Sequence, residues 1–520
     1  MKWKPSAWLS DALSALLVRA VGIVLVFVST TMLARFLGPA EYGTYSAALG
    51  LAMLLATLAP LGTDRILSQT LACTIRKDES GCRPDRAERV PACSRPPELP
   101  ELADARSGLR NTFSRLEAIR ALAFAMNNGE RDASEYHRSG LADSAKSISV
   151  AYLCTIMSIC VLLTVLMAFV LFGSFAGASS AWITTALSAA MILVPLTLSY
   201  LRQWTAMPII GTSRAMVAEQ TLLPAVVILV VVISNVSDWR FSTSGMAAIY
   251  ATGSGLIFAG SISFGRLRDL HWAALRLASD VSREEIFSML YRGLPLVAVS
   301  IGAVASQSTL PMAIAVGCGF ENAACFALAI PYATLPAVPL GVLGLSLIPQ
   351  CARLYASGEI LQANHRVRSA ATLTFWSAFV IAGGILLVSP QLTQILGPQY
   401  QNVVEVMPVL LLAVLIDCLT GPTVPVMQTM GLQGFYAKAF FGHWPLQIIL
   451  VIALGRTWGL TGASAGYLVS RAIWNLLIVI QIYRFPGLLM LPYLNPLNAL
   501  AADQNSLMPG LGVSAKARAA

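Results

Sequence analysis

The chain has 520 residues, of which 56% are hydrophobic and only 12% charged; its formal charge is +9 and its mean hydropathy +0.69. Soluble domains are about a quarter charged, so a water-soluble fold could not cover this much apolar chain. The composition excludes a string of soluble globular domains and leaves a protein that crosses a membrane many times.

The opening, "MKWKPSAWLSDALSALLVRAVG", has no short apolar core followed by a small-residue cleavage site, and reads as retained. A membrane-crossing helix takes about 20 mostly apolar residues. Twelve such runs begin near Ala12, Tyr45, Ser149, Ala181, Glu219, Gly245, Gly293, Ala324, Ala370, Val403, Ala439 and Leu460. Barrel strands would be about half as long and would alternate in polarity. These runs do not, so the spans are helices and the chain is all-α.

Three stretches fall outside the spans. An insertion over about 73–147 is charged and Pro-rich in "RKDESGCRPDRAERVPACSRPPELPELADARSG", then has one candidate amphipathic helix, "NTFSRLEAIRALAFAMNN". Residues 266–290, "RLRDLHWAALRLASDVSREEIFSML", read either as an amphipathic helix on the inner membrane surface or as a solvated linker. After Arg484, Pro486, Pro492, Pro496 and Pro509 mark a loosely ordered tail. The nine Cys, at 73, 82, 93, 154, 160, 318, 325, 351 and 418, form no CxxC pair and have no metal-ligand spacing. They read as structural thiols, with no metal and no cofactor.

Basic loops stay on the cytoplasmic side. With the N-terminus inside, the outer connectors carry Arg35, Arg240 and Arg456. The inner side receives Lys2, Lys4, Arg202, Arg214, five Arg of 266–292, Arg353, Arg366, Arg368, Lys438, Arg484, Lys516 and Arg518, sixteen against three without counting 64–147. Both termini are then cytoplasmic. The net charge is a topology signal, not a sign of nucleic-acid binding.

The chain also repeats itself loosely. Arg19–Gly22 pairs with Arg292–Gly293, and Leu37–Gly38 with Val316–Gly317, at offsets of 273 and 279. "LFGSF" from Leu171 pairs with "ILGPQY" from Ile395, and Met207 with Met427, at 224 and 220. The drop of about 55 matches an insertion in one half. The expected organisation is a six-helix lobe over 1–264, a cytoplasmic amphipathic linker over 265–292, a second six-helix lobe over 293–484 and a tail over 485–520. Six is even, so the halves share one orientation, related by an axis along the membrane normal. The turns "LGP" at 37–39 and 396–398 stop helices at the outer surface, where Tyr42, Tyr45 and Tyr400 suit the headgroup level.

These residues resemble a known family. "ARFLGPAEYGTYSAALGLAMLLATLAPLGTDRILSQTLA", "YRGLPL" at Tyr291, "ILGPQYQNVVEVMPVLLLAVLIDCLTGPTVPVMQTMG" and "GLTGASAGYLVSRAIWNLLIVI" are similar to segments of oligosaccharide flippases in the multidrug/oligosaccharidyl-lipid/polysaccharide (MOP) exporter superfamily. The resemblance covers about 12–70 and 148–484. It implies two six-helix lobes of MATE-like fold about a central cavity that opens alternately to each side. It also implies transport of a lipid-linked oligosaccharide across the bacterial inner membrane for O-antigen, capsule or exopolysaccharide. Membrane lipids, and glycan polymerases or glycosyltransferases of the same pathway, would be its partners. The insertion departs from the pattern, and is either a solvated appendage or a docking surface for such partners. The alternatives are a cation-coupled drug exporter or a lipid II flippase of the same superfamily, or a membrane glycan polymerase. Against an enzyme, the outer connectors are short and lack His, and no HExxH, Ser/His/Asp or phosphate-cradling motif is present.

Ionisable side chains within a bilayer are costly, and each is a functional hypothesis. Arg19 lies about two turns into the first span. It could contact a substrate phosphate through its planar fork, snorkel to the inner headgroups, or bond a neighbouring helix. The resemblance favours the first, because a basic residue in this helix often lines the cavity of lipid-diphosphate exporters. Asp417 and Arg471 lie at similar depth in the tenth and twelfth spans. They read either as a buried salt bridge or as an ion-coupling Asp417 beside a substrate-binding Arg471. His443 reads as an interfacial hydrogen-bonder, and Arg202, Arg214 and Arg292 as anchors at inner helix ends. Gly421-Pro422 and Pro425 flank a bend below Asp417, a candidate hinge.

Overall fold

A computed structural model of the chain describes residues 5–68, 135–210, 212–263, 266–277, 281–341, 359–423, 432–484 and 491–493, with positions 343, 347, 351, 354, 426 and 427. Every regular element among them is helical. In order these are α1 (Pro5–Leu37), α2 (Pro39–Leu58), α3 (Glu135–Phe175), α4 (Ser180–Ile210), α5 (Thr212–Val217), a π-helical turn (Ala218–Leu222) and α6 (Leu223–Val236). There follow α7 (Thr243–Ser263), α8 (Arg266–Leu277), α9 (Arg283–Ser308), α10 (Leu310–Cys318) and α11 (Phe320–Thr334). The last three are α12 (Ile360–Leu396), α13 (Asn402–Thr420) and α14 (Gln433–Arg484).

Nine helices among the described residues are long and apolar enough to cross a membrane. The Gly434–Arg484 run counts once among them, yet it breaks at Trp458 and Gly459, where the backbone leaves helical geometry, and so supplies two crossings. Adding α1, whose apolar part is Val21–Leu37, and the 20-residue α2 reaches the twelve expected from the apolar runs. The "LGP" turns behave as read: α1 and α12 stop at Gly38 and Gly397, at φ 77° and 98°. Only glycine holds that left-handed conformation cheaply.

Two expectations are corrected outside the spans. The stretch 266–290 is two helices rather than one, because Ser282 starts a new one. Its Oγ accepts a hydrogen bond from the Glu285 N–H (3.3 Å), while the Ser282 N–H donates to Glu285 Oε2 (3.0 Å). This reciprocal cap is the Ser-x-x-Glu signal. In addition, α3 begins at Glu135, inside the expected insertion, and runs 41 residues. That is about 60 Å at about 1.5 Å per residue, so α3 projects well beyond a hydrocarbon core of about 30 Å. The insertion helix expected over 111–128 lies outside the described residues, as does most of the tail.

The chain forms two compact units. Unit 1 is Met1–Ser29 with Ala48–Ser308, and unit 2 is Thr30–Ala47 with Thr309–Ala520. In unit 1, α4 packs chiefly on α7, and α3 packs on α4 and α8. Its core sets the small faces of Ala48, Ala52, Ala56 and Ala189 against Leu166, Ile192, Leu193 and Leu196. Small residues let membrane helices approach closely and gain dispersion contact. In unit 2, α14 packs on α10 and α13, and α13 on α11 and α12.

Unit 2 also grips the hairpin tip 30–47. Thr31 Oγ1 and Tyr332 Oη lie 3.1 Å apart, Tyr400 Oη donates to Ala34 O at 2.7 Å, and a side chain at Gly43 would strike the Phe320 backbone. Tyr42, Tyr45 and Tyr400 are consequently buried, at 3%, 4% and 0% exposure, and do not face lipid headgroups. Their phenol rings pack the tip instead.

Candidate functional site

Within the described spans two acid–base pairs form, each the centre of a cluster in its own unit. In unit 2, Arg471 of the second arm of α14 forks onto Asp417 of α13. Nη2 lies 2.5 Å from Oδ2 and Nε 3.2 Å from Oδ1. Asn475, one turn beyond Arg471, donates through Nδ2 to Asp417 Oδ1 at 2.6 Å and to Arg471 O at 2.9 Å. Its own Oδ1 accepts from Thr420 Oγ1 at 2.7 Å. Both carboxylate oxygens are therefore held, and a bidentate fork is the strong form of such a pair. The salt-bridge alternative describes this arrangement. Arg471 commits its fork to Asp417 and not to a free pocket.

His443 belongs to the same region. Its Nε2 lies 2.8 Å from Ser470 Oγ and 2.9 Å from Ser470 O, and its ring packs 5.0 Å from that of Trp474. It is buried at 4% exposure and ties the two arms of α14 together, so it is a helix-to-helix bonder rather than an interfacial one. Below Asp417, α13 ends as Gly421 turns to φ 71°, with Ala371 so close that an added Cβ would lie 2.7 Å from its methyl. Pro422 is buried in the bend that follows. Pro425 lies outside the described residues.

In unit 1, the sequence reading misplaced Arg202. It is not an anchor at a helix end but a buried side chain, 4% exposed, whose Nη2 lies 2.7 Å from Glu219 Oε1 and 3.1 Å from Ala215 O. Glu219 sits on the π-helical turn Ala218–Leu222. Such a bulge aims one side chain off the regular helical register and is frequent at functional sites. Unlike the unit 2 pair, this one is incompletely satisfied: Arg202 Nε, Glu219 Oε2 and Gln220 Oε1 are buried without a hydrogen-bond partner. The missed signal was an acid and a base seventeen residues apart on either side of a short turn. Positive-inside reasoning explained the base too readily.

The cluster reaches α8. Tyr152 Oη lies 3.2 Å from His271 Nδ1, and the rings meet edge to face at 5.6 Å. Burial first, and then the Arg202 charge, pull the His271 pKa from 6.5 down to about 4. Its imidazole is thus held neutral.

Arg19 stands exposed on α1, two residues ahead of the apolar stretch Val21–Leu37. Among the described residues, no group of three or more His, Cys, Asp or Glu could hold a metal ion. Arg19 lies in unit 1 and Asp417 in unit 2, where the structure brings Asp417 and Arg471 together.

No protein family and no curated protein matches the chain. Solved structures do. A multidrug resistance MATE family transporter of the MOP superfamily, in its inward-facing conformation, aligns with a TM-score of 0.55 at 14% identity, over 92% of this chain and 99% of that one. A MATE transporter in complex with MaD3S aligns at 0.52 and 16%, over 92% and 96%. A MOP superfamily transporter from Pyrococcus furiosus, in which reverse polarity of the binding pocket suggests a different function, aligns at 0.53 and 14%, over 92% and 95%. At such identities the likeness is one of fold. The chain is a multi-span membrane protein with the fold of these transporters.

Proposed function

We propose that the protein carries a lipid-diphosphate-linked oligosaccharide from the cytoplasmic to the outer leaflet of a bacterial inner membrane, by alternating access, for surface polysaccharide synthesis. The observation that carries this reading is the charge balance within the described spans. Glu219 and Asp417, the carboxylates that form ion pairs within the spans, are each bonded to an arginine, and Arg19, two residues ahead of the apolar stretch of α1, is an exposed cation. A passage of that polarity attracts a diphosphate and repels an organic cation. The Pyrococcus furiosus neighbour is a precedent for altered pocket polarity on this fold.

In this reading Arg19 makes the first phosphate contact. Arg471 makes a second only when its bond to Asp417 opens, and Asp417 is then free to take up a coupling ion. Pro422 and Pro425 would let α13 bend as that happens. The sixteen-to-three basic asymmetry supports cytoplasmic termini, which would lie within reach of polymerases and glycosyltransferases of the pathway.

Cation-coupled multidrug export is the second reading. A multidrug resistance neighbour and the unpartnered Glu219 Oε2 favour it. Deleting the gene separates the two. Glycan export predicts lipid-linked repeat units trapped on the inner leaflet and unchanged drug susceptibility, and Arg19→Ala should reproduce the trapping with the protein still inserted. Drug sensitisation with normal surface glycan would overturn it. Units that reach the outer face unpolymerised would indicate a polymerase instead.

A further inference from the structure

Helix α8 has two unlike faces. One is pinned to unit 1: Ser149 Oγ donates to Ala274 O at 2.5 Å, Tyr152 meets His271, and Ala274 is buried with Leu67, Ile148, Ala151 and Leu201. Ser149 and Tyr152 lie in the first two turns of the span Lys146–Phe175. Only residues 264 and 265 separate Arg266 from the end of α7 at Ser263. Both tethers fix α8 at the depth where these spans leave hydrocarbon for headgroups.

The other face carries Arg268, Trp272, Leu275 and Arg276, all exposed, Trp272 by 51% and Leu275 by 60%. At about 100° per residue the four fall within one arc of about 100°. The first turns of α9 continue the same chemistry, with Phe287 and Tyr291 exposed by 70% and 83% beside exposed Arg283 and Arg292; Glu284 is exposed among them, and Glu285, its side chain 37% exposed, is bonded to Lys146 and Ser282. Tyr291 stands about 13 Å, at about 1.5 Å per residue, ahead of the span that opens at Ser300. Four apolar or aromatic side chains are too many to leave in water, and four arginines too many for hydrocarbon. Both belong together in the headgroup layer, where rings sit at the acyl boundary and guanidinium groups reach phosphate.

We infer that the outward face of α8, with the first turns of α9, is a seat for anionic phospholipid. Arg268 and Arg276 take the headgroup phosphates, and Trp272 and Leu275 enter the acyl boundary. The inference goes beyond the translocation reading and holds whatever the cargo is. Zwitterionic lipids also carry phosphate, but their own cation cancels it, so the seat prefers net-negative lipid. Each arginine contributes about fivefold, and the two together about twenty-fivefold.

The test places the full-length protein in nanodiscs of phosphatidylcholine alone or with phosphatidylglycerol. It measures amide hydrogen exchange over 266–277 and, by native mass spectrometry, the lipid retained. We expect slower exchange with phosphatidylglycerol and its retention about twenty-fivefold over phosphatidylcholine. Arg268→Gln with Arg276→Gln should abolish the preference while α13 and α14 exchange as before. Trp272→Ala with Leu275→Ala should lower retention of both lipids and keep the preference. Equal exchange in the two discs, or a preference that survives loss of both arginines, would overturn the inference. So would protection that appears only on adding a soluble acidic protein, which would make the occupant a protein.

Discussion

The two membrane-embedded ion pairs have the same chemistry and opposite finish. Asp417 in unit 2 has both oxygens bonded, by Arg471 and Asn475, with Thr420 holding Asn475 in turn. Glu219 in unit 1 has one oxygen bonded and the other bare, on a π-helical turn, facing an arginine whose Nε is also bare. The unit 2 pair is moreover the more accessible, with side chains 20% and 16% exposed against 5% and 10% for Arg202 and Glu219. A completed network rigidifies the helices it joins, whereas a buried pair with orphan atoms is costly and has reason to rearrange or admit water. Unit 2 is braced; unit 1 is poised.

That contrast makes the largest prediction. Removing one partner of a buried pair strands the other charge, at about 3–5 kcal/mol. Arg202→Ala should approach that figure, because Glu219 is left deeply buried. Asp417→Ala should cost about 2 kcal/mol, since Arg471 is less deeply buried. Reversible unfolding in mixed micelles reads both. The double variants sharpen the comparison. Arg202→Met with Glu219→Leu should regain most of the lost stability, as apolar replacements of incompletely satisfied pairs do. Asp417→Leu with Arg471→Leu should not, because Asn475 Nδ2 loses one of its two acceptors and keeps only the residue 471 carbonyl, which loosens the side chain that Thr420 bonds. Equal recovery in both units would erase the distinction.

Much of this was legible in the sequence, and the losses have physical causes. Twelve apolar runs gave twelve crossings, because span length is dictated by the bilayer and not by neighbours. The Asp417–Arg471 pair followed from matched depth, since two opposite charges in hydrocarbon have few other solutions. Arg202 escaped because a basic residue near an inner helix end already had an explanation, and its partner depends on a π-turn that no periodicity announces. Tyr42, Tyr45 and Tyr400 misled for a related reason. Tyrosine at a turn suits a headgroup, and only tertiary packing reveals that unit 2 encloses the hairpin tip. The break at Ser282 could have been read, for Ser282 and Glu285 stand at capping-box spacing in the sequence.

The smallest prediction probes how far the unit 1 cluster extends. His271 faces Tyr152 of α3 and feels the charge of Arg202 on α4, and its pKa is lowered from 6.5 to about 4. Detached from α3, the same imidazole would titrate near its ordinary value. Between those two values the detached state binds the extra proton and the docked state does not, so docking of α8 is at full strength above about pH 6.5 and weakens as pH falls towards 4. One pKa unit is about 1.4 kcal/mol, and at pH 5 the loss is about 2 kcal/mol. Amide exchange over 266–277 should therefore accelerate between pH 7 and pH 5, after correction for the intrinsic pH dependence, while the α13–α14 junction in unit 2 stays unchanged. In His271→Gln the acceleration should vanish, because the replacement keeps a polar group beside Tyr152 but cannot take up a proton. If α8 in that variant still loosened on acidification, the titrating group would lie elsewhere, and the link from Arg202 through Tyr152 to α8 would have to be abandoned.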